Sequence, residues 1–197
     1  MARATRRLGS ENADTRAALI EAAAKIVQDE GYAAVSARRL ADELGLKRQI
    51  VHYYFGTIEE LLIALIRRDG EAMRDRLLKA LNADDPLTAL WGMEAVDAIV
   101  MFEFTALACR RPAVKQEMKK YTEDFRKIIT RVLEADMKRR GVLDSSSISP
   151  LAVAVILVNI STGLAIERSL GIDMGHAETR RLLGEWLGAH LFGPSGQ

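Results

Sequence analysis

The sequence predicts an all-α fold for this chain of 197 residues. Apolar residues recur at spacings of three and four almost throughout, which is the period of an amphipathic helix. The β-branched residues do not form the alternating runs that predict strands, and the chain contains only 4 prolines. A hydrophobic content of 49% with 28% charged residues is typical of a globular protein, so disorder is not expected.

Three features of the composition bear on the cellular compartment. A single cysteine, Cys109, excludes an internal disulfide framework, and we expect it to be a small buried hydrophobe in a protein of the reducing cytoplasm. Arg3, Arg6 and Arg7 are not followed by the apolar segment of a secretory signal. The most apolar stretch, 151–166, falls short of the roughly 20 residues that span a bilayer, so a buried helix and no membrane contact are expected.

The first helix is predicted over 14–30, with Asp14 as its N-cap and Gly31 ending it. A second helix is predicted over 36–44, where Ser36 is the N-cap and Gly45 is a left-handed residue that stops it. Residues 1–13 are small, polar and basic, and residues 193–197 are turn-forming, so both ends are expected to be mobile.

A third helix is predicted over 47–54, with its apolar residues facing the core and Phe55 buried behind them. Its opposite face is basic and exposed, and it carries Lys47, Arg48, Gln49 and His52. This order of a helix, a sharp glycine turn and a short basic helix predicts a helix-turn-helix, whose second helix fits the major groove of DNA.

A fourth helix is predicted to open at a capping box, Thr57 with Glu60, and to extend to residue 81. Gly70 lies within it and is expected to kink or break it. Four further helices are predicted over 86–110, 112–140, 149–170 and 176–192.

The charge differs slightly between the two predicted domains, 1–56 and 57–197. The first has 9 Lys and Arg against 7 Asp and Glu, and the second has 19 against 20. This charge difference does not by itself establish nucleic-acid binding, because the face that carries the charges matters more than their sum.

The residues of the first quarter of the chain resemble the signature of the tetracycline-repressor (TetR) family. The matching segments are Thr15-Arg16, Ala22-Ala23, Gly31-Tyr32, Val35-Ser36, Leu40-Ala41, Leu44-Gly45-Leu46, Val51-His52-Tyr53-Tyr54-Phe55 and Glu59-Glu60-Leu61-Leu62. The resemblance implies a homodimeric all-helical regulator, in which the N-terminal helix-turn-helix domain binds a palindromic operator on double-stranded DNA. It also implies a C-terminal helical domain that binds an effector and dimerises, and a repressor that the effector releases.

The resemblance assigns roles to individual residues. The base-facing set is Arg38, Lys47, Arg48, Gln49 and His52. The phosphate-facing set is Ser36, Tyr53, Tyr54 and Thr57, whose contacts fix the register without reading the sequence.

Two positions depart from the family pattern. Lys47 stands where the family often has Ser or Thr, and Ile58 stands where it usually has Lys. The second departure removes one phosphate contact, for which the N-terminal arginines are candidates to compensate, although a solvated tail is the alternative.

Large side chains in the second domain are candidates to wall an effector pocket. The candidates for ligand binding are Trp91, Met101, Phe102, Glu103, Tyr121, Phe125 and Asn159. Polar residues on faces that should be buried need partners, and Glu103 and Asn159 are two of these. A mostly apolar effector with one or two polar handles is one source of partners, and pairing within the chain is the other.

The last two helices carry apolar stripes that predict a dimer interface. Its candidate residues are Ile156, Ile160, Gly163, Leu182, Leu183, Trp186, Leu187 and His190. Glycine at 163 would permit close approach of two copies.

No catalytic or cofactor motif is evident, so neither an enzyme nor a cofactor is expected. The three histidines do not fall in a metal-ligand spacing, so no metal is expected either. The alternative to an effector-released repressor is a helical DNA-binding protein that is independent of ligand, activating or architectural.

Overall fold

The computed structural model describes the backbone of residues 2–82, 98–139, 141 and 148–191, and the side chains of 12–80, 82, 100–139, 141 and 148–186. These residues form α-helices and one short 3-10 turn, Tyr32–Ala34, and contain no strand. The helices are α1 Ala2–Glu30, α2 Ala37–Leu44, α3 Arg48–Tyr54, α4 Ile58–Leu81, α5 Ala98–Ala108, α6 Pro112–Arg139, α7 Pro150–Ser169 and α8 His176–Leu191. The all-α prediction is confirmed.

The start of α1 differs from the prediction. The helix begins at Ala2 rather than at residue 14, so Asp14 lies inside it and is not an N-cap. Residues 2–13 contain no proline, and half of them are Ala or Arg, which are strong helix formers, so the helix extends toward the N-terminus. The expectation that 2–13 lie outside regular structure is wrong.

Both ends of α2 are as predicted. The Ser36 hydroxyl accepts a hydrogen bond from the Arg39 N–H at 3.1 Å, and the backbone of Gly45 is left-handed, with φ 65° and ψ 29°. Leu46 N–H then donates to the Ala41 carbonyl at 2.9 Å, which closes the C-terminal turn.

The capping box of α4 is also confirmed, and the interruption at Gly70 is not. The Thr57 hydroxyl accepts from the Glu60 N–H at 3.1 Å, and the Glu60 carboxylate accepts from the Gly56 N–H at 3.0 Å. The helix runs unbroken through Gly70, which is buried. Its helix-forming neighbours and tertiary packing outweigh the roughly 1 kcal/mol cost of a mid-helix glycine.

The chain packs as two compact units. The first comprises 1–72 and 99–119, and the second comprises 73–98 and 120–197. This division concerns packing, and the predicted functional boundary between residues 56 and 57 stays a prediction.

The core of the first unit joins α1 to α5 and the start of α6. Its buried side chains include Leu19, Ile26, Leu40, Val51, Leu61, Leu65, Phe104 and Val114. Burial of each such side chain contributes about 1.5 to 3 kcal/mol, so this core holds the three N-terminal helices in one arrangement.

The second unit has a smaller core. Its buried residues are Leu77, Ile129, Leu133, Met137, Val153 and Ala154, against which the half-buried Phe125 and Trp186 also pack. The core therefore holds one side of α6 and one side of α7.

Two burial expectations are wrong. Cys109 is exposed, because α5 ends at Ala108 and the cysteine falls on the turn. Of α7, only Val153, Ala154 and Leu164 are fully buried, and large apolar side chains such as Leu151 and Ile156 are exposed. An apolar sequence predicts that a helix is removed from water, but it does not identify which segment or partner covers the helix.

Among the described helices, α7 alone has the length and composition of a membrane span. Its mean hydropathy over an 18-residue window is 1.8, and 22% of that window is buried. A helix that packs against protein passes the same test, so this observation by itself is weak support for a membrane contact.

Candidate nucleic-acid interface

The third helix is anchored by its apolar face. Val51 is 1% exposed and Phe55, which follows the helix, is 4% exposed, so both lie in the core of the first unit. The burial of Phe55 confirms its prediction. The guanidinium of Arg16 on α1 lies 4.9 Å from the centroid of the Phe55 ring, a cation–π contact that sequence reasoning did not anticipate.

The opposite face of α3 presents polar side chains to solvent. Lys47, Arg48, Gln49 and His52 are all exposed, and within the described residues none of the four forms a side-chain hydrogen bond or ion pair. Lys47 occupies the N-cap position without capping the helix through its side chain, so its ammonium group remains available. Arginine, lysine and glutamine on one exposed helix face are the groups that read guanine and adenine edges in the major groove.

The other predicted DNA residues surround this helix. Arg38 is exposed on α2, with its Nε 3.7 Å from an Asp42 carboxylate oxygen. Ser36 and Thr57 are exposed, and their hydroxyl oxygens serve as helix caps while each hydroxyl keeps its proton to donate.

Two adjacent tyrosines behave differently. The ring of Tyr53 is 74% exposed and meets the ring of Tyr54 edge-on at a centroid distance of 5.1 Å. Tyr54 is half-buried, and its hydroxyl donates to the Asn12 side chain at 2.8 Å. Tyr53 therefore presents a free surface, whereas the hydroxyl of Tyr54 is engaged within the chain.

The departure at Ile58 has a structural reason. Ile58 is half-buried and packs against the core of the first unit at the start of α4. Isoleucine packs against this core and its side chain carries no donor, so this side chain contributes packing and no phosphate contact. The side chains of Arg3, Arg6 and Arg7 lie outside the described residues, and their compensating role stays a prediction.

A network of charges fastens α2 to α1. The Glu43 carboxylate accepts from Lys25 Nζ at 2.8 Å and from Arg39 at 2.7 Å, while Arg39 also donates to Glu30 at 2.8 Å. These hydrogen bonds hold the pKa of Glu43 below its ordinary value and raise the pKa of Lys25. The network joins the two helices that carry the recognition helix.

The depressed pKa of Glu43 predicts an acid-dependent contribution to stability. This contribution is fully present above the unfolded pKa of about 4.3 and is lost as the pH falls through the lower folded value. We expect Glu43→Gln to melt below the wild type at pH 7, and the difference to shrink as the pH falls below the unfolded pKa. Thermal melts across this range test it, with the exposed Glu71→Gln as the control; a pH-independent difference would contradict it.

Two glycines with positive φ predict different tolerance to substitution. Gly45 has φ 65° and ψ 29°, a left-handed conformation that asparagine adopts readily. Gly31 has φ 83° and ψ 163°, a region reserved almost wholly for glycine, and a Cβ there would lie 3.3 Å from the Glu103 carboxylate.

We therefore expect Gly45→Asn to lower the free energy of unfolding by less than about 1 kcal/mol and Gly31→Asn by about 1 to 3 kcal/mol. Urea denaturation of the two variants measures the difference. Equal losses would show that neither the ψ angle nor the neighbouring carboxylate matters.

The residues predicted to bind an effector fall in both packing units. On α5, in the first unit, Met101 is half-buried, Phe102 is 60% exposed, and the Glu103 carboxylate accepts from the Tyr32 N–H at 2.9 Å. The Tyr32 partner is 71 residues away in the sequence, so no local signal reveals it.

In the second unit, the rings of Tyr121 and Phe125 lie 6.1 Å apart on α6. Asn159 on α7 is exposed rather than buried, and its amide donates to the Val155 carbonyl at 2.8 Å. Trp91 lies outside the described residues. The effector site stays a prediction.

The residues predicted for a dimer interface present apolar surface in the single chain. Ile156 is 43% exposed, Leu182 is 66% exposed, and a Cβ at Gly163 would meet open space. Ile160 and Leu183 are half-buried, and Trp186 packs against the second core. The side chains of Leu187 and His190 lie outside the described residues.

Comparison with known proteins supports the DNA-binding interpretation. Residues 19–65 match the family described as bacterial regulatory proteins, tetR family. The HTH-type transcriptional regulator BetI of Rhizobium meliloti (strain 1021) is 35% identical over 91 residues. That match covers 46% of this chain and 42% of BetI, so it spans less than half of the relative's length.

Solved structures share the fold over a larger part of the chain. A TetR transcription regulator from Haloarcula marismortui ATCC 43049 aligns with a TM-score of 0.75 and 22% identity, covering 91% of this chain and 99% of that one. A putative transcriptional regulator from Saccharomonospora viridis, in complex with choline, aligns with a TM-score of 0.73 and 17% identity, covering 91% and 98%. At these identities the likeness establishes the fold alone.

The family match lies on the same residues that build the capped turn, the anchored third helix and its exposed polar face. Over residues 19–65 the chain is therefore similar to the tetR family of bacterial regulatory proteins.

Proposed function

We propose that this regulator is a repressor that binds a palindromic operator as a homodimer and leaves it when a small, mostly apolar effector binds. The observation that carries the DNA-binding part is the exposed face of α3, where Lys47, Arg48, Gln49 and His52 have no partners within the described residues. Side chains with free donors on one face of an anchored helix are poised to bond base edges. Because it acts on chromosomal DNA, we place it in the cytoplasm.

The phosphate contacts divide by position around α3. Ser36 and Thr57, which cap α2 and α4, have hydroxyl protons to donate, and Tyr53 has an exposed ring and hydroxyl. Tyr54 would have to release Asn12 to donate to phosphate, so we rank it below Tyr53. Such contacts set the register of α3 in the groove and add a salt-dependent term to affinity.

Dimerisation accounts for the uncovered apolar surface of α7 and α8. Leu151 is 51% exposed, Ile156 43% and Leu182 66%, although α7 is one of the most apolar helices of the chain. A second copy of the chain would cover this surface. It would also match a palindromic operator, because a two-fold axis places two recognition helices about 34 Å apart. The open surface at Gly163 allows the two copies of α7 to approach closely.

The effector step is proposed on the family pattern. The S. viridis neighbour is in complex with choline, so this fold accommodates a small organic molecule, while 17% identity transfers no particular ligand. An effector that favours a different position of α4 would change the separation of the two DNA-binding domains. Shifting the equilibrium from 1:99 to 99:1 requires about 5.5 kcal/mol of differential binding, so we expect partial release.

Selection from a pool of randomised duplex DNA tests the function whatever the sequence of the operator. We expect the wild type to enrich an inverted repeat with half-site centres about 10 base pairs apart. Arg48→Ala is expected to weaken binding to it by about 5- to 150-fold for each lost base contact, as measured by fluorescence anisotropy. Arg76→Ala removes the same charge from an exposed site on α4 and is expected to bind normally.

Two outcomes would count against the proposal. A wild type that enriches no sequence would exclude specific DNA binding, and an Arg48→Ala variant with unchanged affinity would exclude α3 as the reading element. A ligand-independent or activating regulator is the alternative. It is favoured if no compound that raises the melting temperature of the protein also releases the operator.

A further inference from the structure

Glu103 joins α5 to the turn between α1 and α2. Its Oε2 accepts a hydrogen bond from the backbone N–H of Tyr32 at 2.9 Å, and both residues belong to the first packing unit. Tyr32 is the first residue of the 3-10 turn that follows Gly31. A charged acceptor makes this a stronger bond than one between neutral groups.

This contact is different in kind from the other bonds of the turn. The N–H groups of Gly31, Ala34 and Val35 donate to carbonyls within residues 27–32, so they are local. The N–H of Tyr32 instead takes its acceptor from a helix 71 residues later. The turn therefore depends on α5 to satisfy one of its backbone donors.

Gly31 makes room for the carboxylate. A Cβ at this position would lie 3.3 Å from Oε2 and 3.5 Å from both Cδ and Oε1 of Glu103. The absence of a side chain lets the carboxylate lie directly against the turn, and the backbone of Gly31, with φ 83° and ψ 163°, orients the Tyr32 N–H.

The turn determines where α2 and α3 lie. Val35, which ends the turn, is buried, and Ser36 immediately caps α2. Arg39 on α2 reaches back to Glu30 at the end of α1, so α2 is tied to α1 on both sides of the turn. Since α3 follows α2 after a short connection that ends at Lys47, a shift of the turn moves the recognition helix with it.

We propose that Glu103 is a positioning residue for operator recognition, which holds the α1–α2 turn and thereby sets the orientation of α3. It does not touch DNA. Its carboxylate acts through the Tyr32 amide and makes the orientation of the recognition helix depend on the position of α5. This inference rests on the proposed DNA-binding function, and it gives Glu103 a role other than the effector contact that the sequence predicts.

Three variants of Glu103 test the proposal against the selected operator. Glu103→Ala removes the acceptor, Glu103→Asp keeps the charge but is too short to reach the amide, and Glu103→Gln keeps an acceptor oxygen at the right distance. We expect Ala and Asp to weaken operator binding about tenfold and Gln to stay within about threefold of the wild type. Glu71→Ala, at an exposed site on α4, is the control and is expected to bind normally.

Two further measurements distinguish positioning from a general loss of structure. The fraction of the protein that can bind DNA is expected to stay unchanged, because the variants keep their fold. The salt dependence of binding is also expected to stay unchanged, because the same phosphates are contacted. In the protein labelled with ¹⁵N, exchange of the Tyr32 amide proton is expected to accelerate at least about tenfold in the Ala and Asp variants, and core amides of α4 are expected to keep their wild-type rates.

The outcomes separate this proposal from the function on which it rests. If the wild type enriches no operator, the DNA-binding function fails, and the positioning role fails with it. If the wild type binds and Glu103→Ala and Glu103→Asp bind equally well, the positioning role alone is overturned. A loss confined to the fraction of the protein that can bind DNA, or a changed salt dependence, also overturns it. If Glu103→Ala does not fold, the Asp and Gln pair decides the question.

Discussion

Replacing Phe55 by alanine is expected to lower the free energy of unfolding of the N-terminal unit by about 3 to 5 kcal/mol. The ring is 4% exposed and lies in the core behind the recognition helix. Its removal leaves a cavity in the core of the first unit, and it also removes the aromatic face 4.9 Å from the Arg16 guanidinium. Urea denaturation followed by circular dichroism measures the loss.

Tyr53, two residues earlier, is the matched control. Its ring is 74% exposed and contacts Tyr54 edge-on, so Tyr53→Ala is expected to cost less than about 1.5 kcal/mol. The same change is expected to weaken operator binding, because an exposed tyrosine beside α3 can reach phosphate. Equal instability of the two variants would contradict the assignment of one ring to the core and the other to the DNA surface.

Disrupting the apolar surface of α8 is expected to separate the proposed dimer. Leu182 is 66% exposed in the single chain, so glutamate is tolerated by the monomer but would place two charges across a two-fold interface. We expect Leu182→Glu to be monomeric at micromolar concentration and to lose at least about 100-fold in operator affinity, since joining two half-site contacts is worth about 10² to 10⁴.

Analytical ultracentrifugation and anisotropy measure these two effects together. Leu78→Glu is the control, because Leu78 on α4 is also exposed, at 40%, and lies outside the predicted interface. It is expected to remain dimeric and to bind normally. A Leu182→Glu variant that remains a dimer would place the interface elsewhere.

The helix ends in and next to the helix-turn-helix are predictable from the sequence, because each capping interaction involves neighbouring residues. The hydroxyl of Ser36 caps the helix that begins at the next residue, and Gly45 adopts the conformation that stops it. The reciprocal bonds of Thr57 and Glu60 lie within five consecutive residues, from Gly56 to Glu60. Such short-range interactions do not depend on the rest of the fold.

Predictions from neighbouring residues alone are wrong at three positions, where other features determine the helix ends or the exposure of a residue. Asp14 has the chemistry of an N-cap, yet α1 begins at Ala2, since residues 2–13 contain no proline and are rich in Ala and Arg. Gly70 has the chemistry of a breaker, yet tertiary packing carries α4 through it. Cys109 has the composition of a core residue but lies on a turn, since the end of α5 and not hydrophobicity determines its exposure.

The all-α fold, the helix-turn-helix and the polar face of α3 follow from the sequence alone, because helical period and capping depend on residues a few positions apart. The bond from the Tyr32 amide to Glu103 and the exposure of Leu151 and Ile156 on α7 are visible only in the tertiary structure. A bond across 71 residues and the covering of a helix face depend on where distant segments meet, and periodicity along the chain carries no record of that.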